Sequence, residues 1–129
     1  MSDRFKQHGA LSWYELTTSD VTAAQQFYQT LFGWEMKQGP VNGVDYTVLS
    51  LDGQDIGGMM QTPPDAPADM PPHWGLYITV DDVDASAQKA LDLGGKVCIE
   101  PMDIPEVGRF ALIQDPQGAT LSVISYKTV

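Results

Sequence analysis

Thr17-Thr18-Ser19-Asp20-Val21-Thr22-Ala23-Ala24-Gln25-Gln26-Phe27-Tyr28-Gln29-Thr30-Leu31-Phe32-Gly33 decides the fold, because the chain writes it twice. Moved along by 62 positions, Thr17 falls on Thr79, Asp20 on Asp82, Val21 on Val83 and Ala23 on Ala85. Gln26 then falls on Gln88, Leu31 on Leu93 and Gly33 on Gly95, with no gap. A fixed period of this kind marks a repeated supersecondary unit. The shared residues sit where a helix needs them. Ser19 or Asp20, and Asp81 or Asp82, can accept a free backbone N–H at a helix start. Gly33 and Gly94-Gly95 suit the left-handed stop at a helix end.

Outward from each helix the reading is strands. Leu11 to Thr17 precedes the first helix, in which Val21, Ala24, Tyr28 and Leu31 recur at helical spacing. Strands are expected at Trp34 to Gln38, Asp45 to Leu51 and Asp55 to Gln61, with Asp52-Gly53 as a tight turn. The second half repeats the plan. Trp74 to Val80 is a strand, followed by a helix turning Val83, Ala87, Ala90 and Leu91 inward. Strands follow near Lys96 to Glu100, Gly108 to Gln114 and Ala119 to Tyr126. Asp115-Pro116-Gln117-Gly118 is a type I turn sequence. Thr62 to Pro72 carries five prolines and fits neither helix nor central strand. It is read as an extended linker within one domain of residues 1–129. The first βαβββ unit spans about 11–61, the linker 62–73 and the second unit about 74–126.

Composition narrows the function. Seven basic residues against seventeen acidic ones give a formal charge of −10, which speaks against nucleic acid and anionic membranes. No stretch is apolar enough to span a bilayer, and Met1 to His8 is too polar for a signal peptide. Cys98 has no partner for an internal disulfide and is expected to be a small buried hydrophobe. These features point to a cytoplasmic protein. No nucleophile elbow, phosphate loop or zinc pattern is present.

Two tandem βαβββ units resemble the vicinal oxygen chelate superfamily, which includes glyoxalases, bleomycin resistance proteins and extradiol dioxygenases. Trp13-Tyr14-Glu15-Leu16 with Asp20, Phe27-Tyr28 and Leu31-Phe32-Gly33-Trp34 looks like the opening of a glyoxalase-like half. Gly108-Arg109-Phe110-Ala111 and Asp115-Pro116-Gln117-Gly118-Ala119 look like its closing hairpin. The likeness runs from about Leu11 to Tyr126 and points to the antigen-like or hydroxylase-type glyoxalase subgroup. It implies an α+β fold: a curved, cup-shaped mixed sheet with helices outside, often assembled as a homodimer. It also implies four metal-ligand positions facing into the cup. Counted back from Asp20 the first is Trp13, and the repeat carries it to Gly75. Counted on from Gly118 the last is Ser122, and the repeat carries it back to Met60. Indole, thioether, hydroxyl and a bare glycine do not make a site for Fe, Mn, Zn or Ni. No metal and no other cofactor is therefore expected.

Strand alternation lists what the cup holds instead. Trp13, Glu15, Met60, Tyr77 and Ser122 face inward, an aromatic lining with a few polar tips suited to a small organic molecule. Tyr14, Leu16, Leu76, Ile78, Leu121 and Val123 face the helices. Glu15 is the candidate acid or base, since a carboxylate withdrawn from water holds its proton more tightly. It can equally serve a structural role. Three functions follow. The first is a metal-free binder of a small organic molecule, the second a metal-free enzyme using Glu15. The third is a metal-dependent lyase, isomerase or dioxygenase with displaced ligands.

Overall fold

The computed structural model describes residues 6–41, 44–64, 66–67, 69–105 and 107–127. Asp65 and Ala68 of the linker lie outside the described residues. The chain divides into two compact units, Trp13–Gly75 and Leu76–Val129 with Met1–Ser12. The element order is β1 (Leu11–Thr18), α1 (Val21–Phe32), β2 (Glu35–Val41), β3 (Val44–Leu51) and β4 (Gln54–Gln61). Then follow β5 (His73–Thr79), α2 (Val83–Asp92), β6 (Lys96–Ile104), β7 (Gly108–Gln114) and β8 (Thr120–Tyr126). This is the α+β, twice-βαβββ order that the repeat predicts.

Each unit has the same strand order. In the first it is β2-β3-β4-β1, with β1 parallel to β4 and the other pairs antiparallel. In the second it is β5-β8-β7-β6, with β5 parallel to β8. The helix caps match as closely. Asp20 and Asp82 both hold extended backbone, at φ −142° and −144°, and each accepts the N–H three residues on at 3.0 Å. Of the two candidates at each start, the second residue, Asp20 or Asp82, is therefore the cap. Gly33 closes α1 in the left-handed region at φ 76°. Replacing Asp20 with Ala should cost about 1 kcal/mol, the usual worth of an N-cap, as measured by urea unfolding. Asp52 and Gly53 both have positive φ, 51° and 78°, the two-residue turn that fits the twist of a hairpin.

The first core is Leu16, Leu49 and Met59, with Val21, Ala24, Tyr28, Trp34, Met36 and Ile56 packed against it. The second is Val80, Val83, Ala87, Ala111 and Val123, with Val97 and Ile113. Buried polar groups are paired: Thr47 Oγ1 accepts from Gln25 Nε2 at 2.8 Å, and Ser50 Oγ donates to Asp55 at 2.7 Å. Lys37 and the Ser50 hydroxyl together hold the Asp55 carboxyl below its ordinary range, the hydroxyl contributing most.

Three expectations are corrected. Leu91 points outward, although Val83 and Ala87 of the same helix are buried and Ala90 beside it is half-buried. Cys98 is exposed, because it alternates with the half-buried Val97 that packs on the second core. The third concerns the repeat. It holds through the helices and then slips: Glu15 pairs with Gly58, 43 residues on, whereas Tyr77 pairs with Ser122, 45 on. The counterpart of Ser122 is therefore Gly58, not Met60.

Candidate ligand-binding site

On β1 the side chain of Leu16 enters the first core, so Trp13, Glu15 and Thr17 face the other way. Across the parallel β1–β4 pair, Glu15 stands beside Gly58 and Thr17 beside Met60. Trp13, Glu15 and Met60 thus share one face of the first unit, and all three are half-buried. Tyr46 of β3 joins them. Its hydroxyl donates to Glu15 Oε2 at 2.6 Å and accepts from Trp13 Nε1 at 3.0 Å. A short O–H···O⁻ bond of this kind is charge-assisted.

Gly58 makes this arrangement possible. A Cβ there would fall within the Tyr46 phenol ring, so the ring occupies the space that any other residue at 58 would claim. By strand register, position 58 matches Ser122, which the family resemblance implies as a ligand position. A tyrosine hydroxyl from β3 takes the place of that side chain. Whether 58 or 60 is taken as the first unit's closing position, the donors are a missing side chain or a thioether. They do not fit a divalent cation. Among the described residues no group of three or more His, Cys, Asp or Glu could hold a metal ion. His8 accepts from the Asp81 N–H and His73 lies against the Pro71 carbonyl, both exposed.

The other two expected residues belong to the second unit, where Tyr77 and Ser122 are register partners on one face. Ser122 is buried, and the Tyr77 ring lies 6.4 Å from that of Phe110. Arg109, in the motif that resembles the family hairpin, is engaged structurally. Its Nε and Nη2 hold Asp84 of α2 at 2.7 and 2.9 Å, and Nη1 holds Asp103 of β6 at 3.0 Å. The guanidinium keeps the Asp84 carboxyl below its usual range.

Sequence reading missed two features. One is Tyr46. The other is a cavity of about 430 Å³ in the first unit, on the face that α1 backs, bordered by Tyr14, Tyr28, Phe32, Trp34, Ile56 and Trp74 among others. Its lining is almost wholly apolar, and Trp74 Nε1 donates to the Tyr28 hydroxyl at 3.3 Å.

The fold defines the class. The chain belongs to the Glyoxalase/Bleomycin resistance protein/Dioxygenase superfamily, whose model matches residues 10–123. It is 40% identical over 119 residues to "Putative glyoxylase CFP32" of Mycobacterium tuberculosis, covering 91% of this chain and 46% of that protein. It is 34% identical over 127 residues to the anthracycline biosynthesis protein DnrV of Streptomyces peucetius, covering 89% of this chain and 46% of that one. The chain thus spans about half the length of these relatives. A glyoxylase-like domain-containing protein of Didymella fabae is matched at 30% identity over 90% of this chain and 93% of its own length. Among solved structures, methylmalonyl-CoA epimerase of Streptomyces coelicolor in complex with 2-nitronate-propionyl-CoA shares the fold. Its TM-score is 0.70 at 20% identity, over 95% of this chain and 100% of that one.

Proposed function

We propose that this chain binds a small organic molecule, flat and ring-bearing with a hydroxyl or amide, on the Trp13–Glu15–Tyr46 face, and does so without a metal. One observation carries the reading: Tyr46, seated over Gly58, links the Trp13 indole to the Glu15 carboxylate. The aromatic edge offers stacking area, and the linked hydroxyl and carboxylate offer oriented polar contacts. Relatives named for anthracycline biosynthesis make a polycyclic aromatic compound the first ligand class to try. Epimerase structures holding CoA esters make an acyl-CoA thioester the second. Tyr77 and Ser122, register partners within the second unit, are candidate ligand contacts of that unit in their own right.

The short Tyr46–Glu15 bond also favours a second reading, acid–base catalysis. Glu15 would take a proton from a bound substrate while Tyr46 steadies the carboxylate. In either case we propose a homodimer acting in the cytoplasm, as the family resemblance and the composition suggest.

The test uses purified protein, an anthracycline and methylmalonyl-CoA. Native mass spectrometry and tryptophan fluorescence should register one ring-bearing ligand per chain, and elemental analysis after dialysis should find no stoichiometric Fe, Mn, Ni or Zn. One retained metal ion per chain would overturn the metal-free reading. Failure of both probes to bind, with no co-purified organic mass, would overturn the binder.

A further inference from the structure

We infer that the outward face of α1, with the aromatic cavity beside it, is the surface through which two copies of this chain pair. The inference rests on the homodimer proposed above and locates its contact. α1 spans 12 residues and buries none of them fully. Phe27, Leu31 and Phe32 are 59, 58 and 54% exposed, and Tyr14 and Trp74 at the cavity's rim are 46 and 39% exposed. Phe27 packs edge-on to Tyr28 at 5.0 Å and Phe32 stacks on it at 6.2 Å, so helix face and cavity are continuous. An isolated exposed aromatic is ordinary, but a connected group of this size marks an interaction surface.

Charge selects the occupant. The chain carries −10 overall, yet Val21 to Trp34 holds no Asp, Glu, Lys, Arg or His. The polar residues there are Gln25, Gln26, Gln29, Thr22 and Thr30. A surface that meets its own image across a two-fold axis sets like against like, so any net charge on it repels itself. An acidic or basic partner would call for the opposite sign instead. A neutral, aromatic patch on an otherwise acidic protein is what self-pairing requires. The area suffices. Four aromatic rings and one leucine at about half exposure offer about 500 Å² per copy, hence about 1,000 Å² for a pair, the lower bound of a specific interface.

The test is sedimentation velocity from low to high micromolar concentration, on the wild-type chain and on Phe27→Glu/Leu31→Glu. Both substituted side chains are exposed, so far-UV circular dichroism should be unchanged. The expected result is a wild-type dimer and a variant whose dimer is weakened at least tenfold. If the wild type dimerises and the folded variant dimerises equally well, this face is not the interface, although the homodimer stands. If the wild type stays monomeric, both fall, and the face belongs to another protein or to a further stretch of a longer chain. Should the variant misfold, hydrogen exchange of the wild type decides. Slower exchange of α1 amides at higher concentration supports the pairing, and no concentration dependence overturns it.

Discussion

Gly57→Ala should destabilise the protein by about 3 kcal/mol, at the upper end for overpacking by one methyl group. Gly57 lies in β4 opposite Tyr14 of parallel β1 and Leu49 of β3. Its missing Cβ would press into the Tyr14 carbonyl oxygen, with the carbonyl carbon only 3.2 Å away. Backbone cannot rotate aside as a side chain can, so β1 and β4 must part, beside a core that buries Leu16, Leu49 and Met59. Gly58→Ala is the informative comparison. The nearest atoms to its Cβ belong to the Tyr46 side chain, which can swing away, so about 1–2 kcal/mol is expected. Urea unfolding of both variants measures the difference. Equal losses at the two positions would mean that the close β1–β4 approach is not what holds glycine at 57.

Glu15→Gln and Tyr46→Phe should each weaken ligand binding by about tenfold or more while leaving the fold intact, the effect of removing one partner of a charge-assisted hydrogen bond. Tyr46→Phe leaves the Trp13 indole N–H and the Glu15 carboxylate without the hydroxyl between them. Glu15→Gln keeps the shape and removes the charge. Because the two residues share one bond, the double variant should lose less than the sum of the single losses. Trp13→Ala differs in kind: it removes ring area as well as a donor, and should lower both affinity and stability. Fluorescence titration with the anthracycline reads affinity, and thermal unfolding reads the fold. Unchanged affinity in Glu15→Gln would remove Glu15 from the site.

How far the sequence could be read depended on distance along the chain. Helix starts, hairpin turns and the facing of β1 are local, and the residues that set them, Asp20, Asp82 and Asp52-Gly53, behave as their chemistry requires. Tyr46 is a product of register. It reaches Glu15 only because β3 lies beside β4 and β4 beside β1. A signal existed: two adjacent glycines inside a strand mark a close approach by something, and an aromatic on the neighbouring strand was the natural candidate. The slip of the repeat was hidden for a related reason. Two extra residues in the second unit preserve the alternation of faces, so a count based on parity returns Met60 when pairing returns Gly58. Periodicity placed Leu91 inward with Ala90, but it measures a helix's own pattern and not what packs against it.

The hydrogen bonds from Gly9 to the Thr79 carbonyl at 2.7 Å, and from Thr79 back to Ala10 at 2.8 Å, join residues on either side of the entire first unit. On a ribosome this sets a schedule. Every residue of the first unit is made before Thr79 exists, so that unit can close on its own local hairpins and one parallel crossover as it emerges. Gly9 and Ala10, although synthesised earlier, must wait for β5. Tying them in closes a loop around a segment that has already shortened itself by folding, which costs less chain entropy than closing it around an open coil. Translation order and contact order therefore run together in this chain, and the second unit gathers in residues made before the first.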